Sequence, residues 1–203
     1  MYFVHTPKCG GTFVDRHFHK WRVKCPTLTL PNVRGHLTYS AFKSAFQEYG
    51  LDIDDGFTFS VVRNPWDWHV SFYHYIKGDR GGRDSGHLLE HNLFQDLSFK
   101  DYLKWLDDPT TKKSHWGYQS RAVSDWVIDD AGEIAVDRVL RQETLESDLR
   151  ALVHDLNLAI TVSNERPNAS HREEDYRAYY DTTSAEIVAR RHRRDLDLFG
   201  YTF

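Results

Sequence analysis

Two features of this chain have residue types and spacing that could do chemistry. One is a lysine two residues ahead of a glycine pair, in Thr6-Pro7-Lys8-Cys9-Gly10-Gly11-Thr12. The other is an arginine that ends an apolar run, in FTFSVVR at residues 57–63. Both point to anion binding. A glycine loop between a strand and a helix aims backbone N–H groups at a ligand, and the helix N-terminus adds partial positive charge. Gly10 and Gly11 permit positive φ and close backbone approach. Lys8 adds a full charge, and Thr12 adds a hydroxyl at the helix start. The ATP-binding loop has the order G-x-x-x-x-G-K-[ST], with its lysine after the glycines; here the lysine comes first and the loop is shorter. The alternative is a tight turn carrying a surface lysine. Arg63 offers a planar fork suited to phosphate, at the carboxyl end of a strand, where ligands of open α/β sheets bind. Ser71 follows eight residues on, so the two could clamp one phosphate. The alternatives are an arginine that pairs with a carboxylate or caps a helix, and a serine that merely packs.

The elements that must hold these residues can be read from apolar spacing. Residues 2–5 read as a strand and 13–21 as a helix, with the glycine loop between them. Residues 31–35 read as a loop and 39–49 as a helix. Residues 57–62 are the clearest buried strand, and 66–76 fit a helix with Pro65 near its start. Residues 78–86 (GDRGGRDSG) are loop-like. Residues 99–106 form a short amphipathic helix stopped near Pro109. Residues 122–128 and 135–140 read as strands joined by a turn at 129–132, and helices follow at 144–156 and 184–198. The expectation is one α/β domain spanning residues 1–203, with a mainly parallel sheet and helices on both faces.

Composition narrows the function. The 203 residues are 40% hydrophobic and 14% aromatic, enough for a core without staples. A net charge of −4 argues against general nucleic-acid binding, so cationic groups for an anion must be placed locally. Two cysteines, Cys9 and Cys25, make no disulfide framework and read as thiols in a reducing compartment. The first residues carry no basic segment followed by a long apolar stretch, and no run approaches the roughly 20 apolar residues of a membrane helix. The expectation is a cytoplasmic chain with no membrane span.

FVHTPKCGGT resembles the 5′-phosphosulfate loop of sulfotransferases that use 3′-phosphoadenosine-5′-phosphosulfate (PAPS). FSVVRNPWDWHVSFYHY resembles their 3′-phosphate segment. The likeness is to the branch that includes carbohydrate sulfotransferases, and the two motifs stand in the family's order. Weaker matches extend it: Gln119-Ser120, the DRVLRQETLESDL segment through Asp137, Arg141, Glu143, Leu145 and Asp148, and then PNASH, EDYRAYYD and DLDLFGYTF. The resemblance implies a P-loop-like sulfotransferase fold and PAPS as donor. Lys8 would contact the phosphosulfate and its bridging oxygen. Cys9, Gly10, Gly11, Thr12 and Phe13 would hold the 5′-phosphate, and Arg63 and Ser71 the 3′-phosphate. Asn168, Ala169, Ser170 and His171 fall where the family's late cofactor loop lies. Cys9 stands where many members have Thr or Ser, and Trp68-His69 replaces a commonly basic stretch.

Sulfuryl transfer is expected to be in-line, with charge building on the bridging oxygen. A lysine there neutralises it, so no metal need be invoked. An acceptor hydroxyl also needs a base. His36, after Gly35 in a loop, is the candidate; a structural histidine bonded to backbone is the alternative, and Asp or Glu could serve instead. His5, at the end of the first strand, reads as ordering the loop. His87 and His91 have i,i+4 spacing but no further ligands, so they read as a solvated face. Residues 190–194 (RRHRR) read as a charged helix face, and Trp66, Trp68, Trp116 and Tyr118 as core or rim. The expected enzyme transfers a sulfuryl group to a hydroxyl or amine of a small-molecule or saccharide acceptor, releasing PAP (the 3′,5′-bisphosphate). The competing readings are a P-loop nucleotide kinase or NTPase, which needs Mg²⁺ and the other lysine order, and a non-catalytic nucleotide- or glycan-binding module.

Overall fold

The structure is a computed structural model that describes residues 1–18, 35–78, 88–113, 117–163, 173 and 175–203. Several expectations lie outside these residues: most of the loops at 31–35 and 78–86, Cys25, His87, Trp116, and the late segment with Asn168, Ala169, Ser170 and His171. The chain sorts into two compact units. The first is Met1–Arg63 with Val123–Asn168, and the second is Asn64–Ala122 with Ala169–Phe203.

The first unit is built on a three-stranded, all-parallel sheet in the order β1 (Tyr2–Val4), β2 (Thr58–Val62), β3 (Arg138–Arg141). Tyr2 pairs with Thr58, and Phe59 with Arg138. All five residues of β2 are buried, as a central parallel strand requires. Its two polar residues are satisfied internally. The Thr58 amide and hydroxyl both donate to Asp137 Oδ2 (2.6 and 2.8 Å), locking the entrances of β2 and β3. Ser60 Oγ donates to the Val4 carbonyl (2.6 Å), so Thr6 is the donor in its 3.0 Å bond to Ser60 Oγ. Helices α1 (Gly11–Phe18) and α2 (Tyr39–Gln47) lie between β1 and β2 in the chain. Thr38 caps α2 through Ala41 N–H.

Residues 122–128 are not a strand. Val123–Trp126 is a short 3₁₀ helix, followed by a single bridge between Ile128 and Ile134. Val123, Trp126 and Val127 are all buried at i, i+3, i+4, a helical spacing that overrides the β-branched composition. The turn at 129–132 forms as expected, with Asp129 Oδ1 accepting from the amides of Ala131 and Glu133.

The second unit is helical and rich in aromatic residues. It contains α3 (Pro65–Lys77), α4 (Leu88–Phe94), α5 (Phe99–Asp107), α7 (Thr182–Arg191) and α8 (Arg193–Phe199); α6 (Leu145–Asp155) follows β3 in the first unit. Asn64 caps α3 through Trp66 N–H, with Pro65 at the first helical position. Trp68 stacks on Phe72 at 5.2 Å, and Tyr73, Phe94, Phe99 and Tyr102 complete the aromatic core. The helix expected over 184–198 is two helices broken at His192. The His192 ring is buried and bonds Asp195 Oδ2 (2.6 Å) and His69 Nε2 (2.8 Å), and His69 Nδ1 bonds the Tyr102 hydroxyl (2.7 Å). Among the described residues no helix is long and apolar enough to cross a membrane.

Candidate active site

The carboxyl ends of the three parallel strands lie side by side, and pairing continues one residue past β3 through Gln142 N–H to the Val62 carbonyl (2.8 Å). The loop from His5 to Gly10 leaves β1 at this edge and turns into α1. Its turn is made by two left-handed residues, Lys8 (φ 59°) and Gly10 (φ 80°). The Gly10 carbonyl accepts from the amides of Phe13 and Val14. The amides of Gly11 and Thr12, in the first turn of α1, have no acceptor within the helix, and they present N–H groups at the end that carries partial positive charge.

Gly10 has the positive φ expected of it, and both glycines are also required by their neighbours. A Cβ at Gly10 would lie 2.5 Å from Leu145 Cδ2, and one at Gly11 would lie 1.8 Å from His5 Nε2. The space is filled from within the protein, by α6 and by the His5 ring. Gly11→Ala therefore forces the His5 ring aside. The expected cost is about 1–3 kcal/mol in chemical denaturation, removed in a His5→Ala background where the ring is gone.

Arg63 is almost fully buried, and its Nη1 donates to the Lys8 carbonyl (2.8 Å). His36 also reaches the loop. Its Nδ1 is 2.8 Å from the His5 carbonyl, which can only accept, so Nδ1 carries the proton and Nε2 is the basic nitrogen of the neutral ring. Trp126 Nε1 donates to the His36 carbonyl (3.1 Å), and the His5 and His36 rings meet edge to face at 4.2 Å. Three residues on, the Tyr39 hydroxyl and the Lys43 ammonium both donate to Asp54. These bonds, Lys43 first, hold the Asp54 carboxyl below its usual range. Burial, then Asp54, pushes the Tyr39 hydroxyl up.

Thus Lys8, Cys9, Gly10, Gly11, Thr12, Phe13, Arg63 and His36 all belong to the first unit, at or beside one loop. Cys9 is a buried thiol and Phe13 is buried, while Thr12 is exposed. Ser71 is buried within α3, in the second unit. No group of three or more His, Cys, Asp or Glu is placed to hold a metal ion among the described residues.

A family model described as the sulfotransferase family matches residues 1–202. The chain belongs to the sulfotransferase family. No curated protein matches it by sequence. Its α/β fold with an all-parallel sheet agrees with that family, and sulfuryl transfer is the chemistry that membership supports. Two contacts of this sulfotransferase leave no mark in the local sequence: the Arg63 bond to the Lys8 carbonyl and the Trp126 bond to the His36 carbonyl. They join residues 55 and 90 positions apart, whereas the His5 ring packs on Gly11 within the same loop.

Proposed function

We propose that this sulfotransferase takes its sulfuryl group from PAPS, delivers it to a hydroxyl or amine of a small-molecule or saccharide acceptor, and releases PAP. The observation that carries the reading is the loop: a lysine and a glycine in left-handed turns, open first-turn amides of α1, and Arg63, all at the carboxyl edge of parallel strands. In this reading the amides of Gly11 and Thr12, with the rest of the Cys9–Phe13 loop, hold the 5′-phosphate. Arg63 and Ser71 hold the 3′-phosphate. A guanidinium has five donors, so its bond to Lys8 does not preclude this role. Asn168, Ser170 and His171 complete the same reading from outside the described residues. PAPS supplies the sulfuryl group and a bridging oxygen on which charge develops. Lys8 places its ammonium there, and His36 Nε2 takes the acceptor proton. The family match from 1 to 202 supports treating the two units as one functional domain.

The test is calorimetric titration of PAP beside 5′-AMP, ADP and ATP, with and without Mg²⁺. A charge-assisted contact to a second phosphate is worth about 1.5–3 kcal/mol, so PAP should bind roughly 10- to 150-fold more tightly than 5′-AMP, with no Mg²⁺ dependence. Preference for ATP with Mg²⁺ would support the kinase reading. Absence of nucleotide binding would support a glycan-binding module.

A further inference from the structure

Lys8 stands out in its backbone. It and Asn157 are the two positive-φ residues other than glycine among the described residues, and a long side chain gains nothing from the left-handed region. Such strain persists only where the surroundings over-determine it. The surroundings are identifiable here. Lys8 is followed by Cys9, which is 1% exposed, and by Gly10, which is packed on Leu145. Its own carbonyl is gripped by Arg63 Nη1 at 2.8 Å. Arg63 is itself 6% exposed and continues β2, the central strand, whose residues are all buried, so the grip is anchored in the middle of the sheet.

We propose that Arg63 is a positioning residue for the reacting lysine: by holding the Lys8 carbonyl it fixes the left-handed turn and thereby aims the Lys8 ammonium. The inference rests on the reading of Lys8 as the group that meets the bridging oxygen. It adds to the 3′-phosphate role of Arg63 a second one, exerted through the backbone of Lys8 before any donor is bound. The reacting charge and the donor's distinguishing phosphate would then be tied to one guanidinium.

Two readouts test it on the full chain. The first needs no activity. In a Cys25→Ser background the sole thiol is Cys9, next to Lys8 and buried. Its reaction with 5,5′-dithiobis(2-nitrobenzoic acid) should be at least about tenfold faster after Arg63→Ala, because the turn that buries it is no longer held. The helical circular dichroism should be unchanged. The second is a double-mutant cycle on turnover at saturating PAPS, with a 4-nitrophenyl glycoside as acceptor and PAP release as signal. Arg63→Ala should lower kcat at least about tenfold when Lys8 is present and less than about twofold when Lys8 is already Ala. Unchanged Cys9 protection overturns the proposal whatever happens to turnover. So does a faster thiol reaction with kcat unaltered and only the PAPS KM raised, which would leave Arg63 holding the turn and the phosphate without aiming the lysine. If the parent chain binds PAPS but transfers nothing to glycoside or water, the reading of Lys8 fails, and the thiol rates still decide whether Arg63 holds the turn.

Discussion

Lys8→Ala lowers turnover by about 10²–10³, the usual cost of removing one well-placed stabiliser of developing charge. In the role proposed for Lys8 the loss falls on kcat, because the ammonium would be needed most where negative charge builds on the leaving oxygen, and less in the ground state. The variant should fold as well as the parent. Alanine and lysine both carry a Cβ, so the left-handed turn at φ 59° is equally strained in either, and the melting temperature should move by less than about 2 °C. Lys8→Gly separates the two properties. Glycine relieves about 1 kcal/mol of that strain and raises the melting temperature by a few degrees, roughly 2–4 °C, while losing turnover to the same extent. PAP release from PAPS and thermal melting of the three proteins check this. If Lys8→Ala retains turnover within a factor of about three, the ammonium does not meet the leaving group.

The parts legible in the sequence were those written in local pattern. The β1–loop–α1 segment announced itself by an apolar run that opens onto Lys8, Gly10 and Gly11, and β2 by five consecutive residues compatible with burial on both faces. Pro65 marked the start of α3 because a first-position proline is local chemistry, while the Asn64 cap came only with the structure. Residues 122–128 were misread because Val, Trp and Ile favour strands, whereas the burial of Val123, Trp126 and Val127 on one face decides the outcome. The break at His192 was illegible for a related reason: no glycine or proline marks it. What accompanies it is a side chain held by Asp195 three residues on and by His69, 123 residues away in sequence. Gly10 was legible as a positive-φ position, but the protein neighbours that also require Gly10 and Gly11 were not. Their sequence context suggests a ligand, and only the fold shows Leu145 and the His5 ring in the space a Cβ would need.

Asp195→Ala destabilises the protein by about 3 kcal/mol, and the reason lies in proton bookkeeping along a buried chain. Tyr102, His69, His192 and Asp195 are all at most 1% exposed. One arrangement satisfies every bond: the Tyr102 hydroxyl donates to His69 Nδ1, His69 Nε2–H to His192 Nε2, and His192 Nδ1–H to the Asp195 carboxylate. Without the carboxylate, His192 Nδ1–H is left buried with its acceptor removed, and the orientation of each donor upstream is no longer fixed. Asp195→Asn keeps an acceptor oxygen and should cost less than half as much. The chain also sets an acid limit. Burial first, then His192 and Arg191, hold His69 well below its ordinary value, while burial pushes the Tyr102 hydroxyl up against the opposing pull of Arg191, with Glu90 adding to the rise. His69 is therefore neutral when folded and takes up a proton near pH 6.5 only when unfolded. Its contribution is fully present above about pH 6.5 and is lost as pH falls below it, at up to about 1.4 kcal/mol per pH unit. The depressed carboxylates, Asp54, Asp101, Asp108, Asp155 and Asp181, lose their contribution only at lower pH, below the ordinary carboxylate range. Urea unfolding of the parent and of His69→Gln between pH 7.5 and 5 should give a steep slope for the first and a visibly shallower one for the second. Parallel slopes would mean that the relay takes up its proton without unfolding, and that His69 does not set the acid limit of the fold.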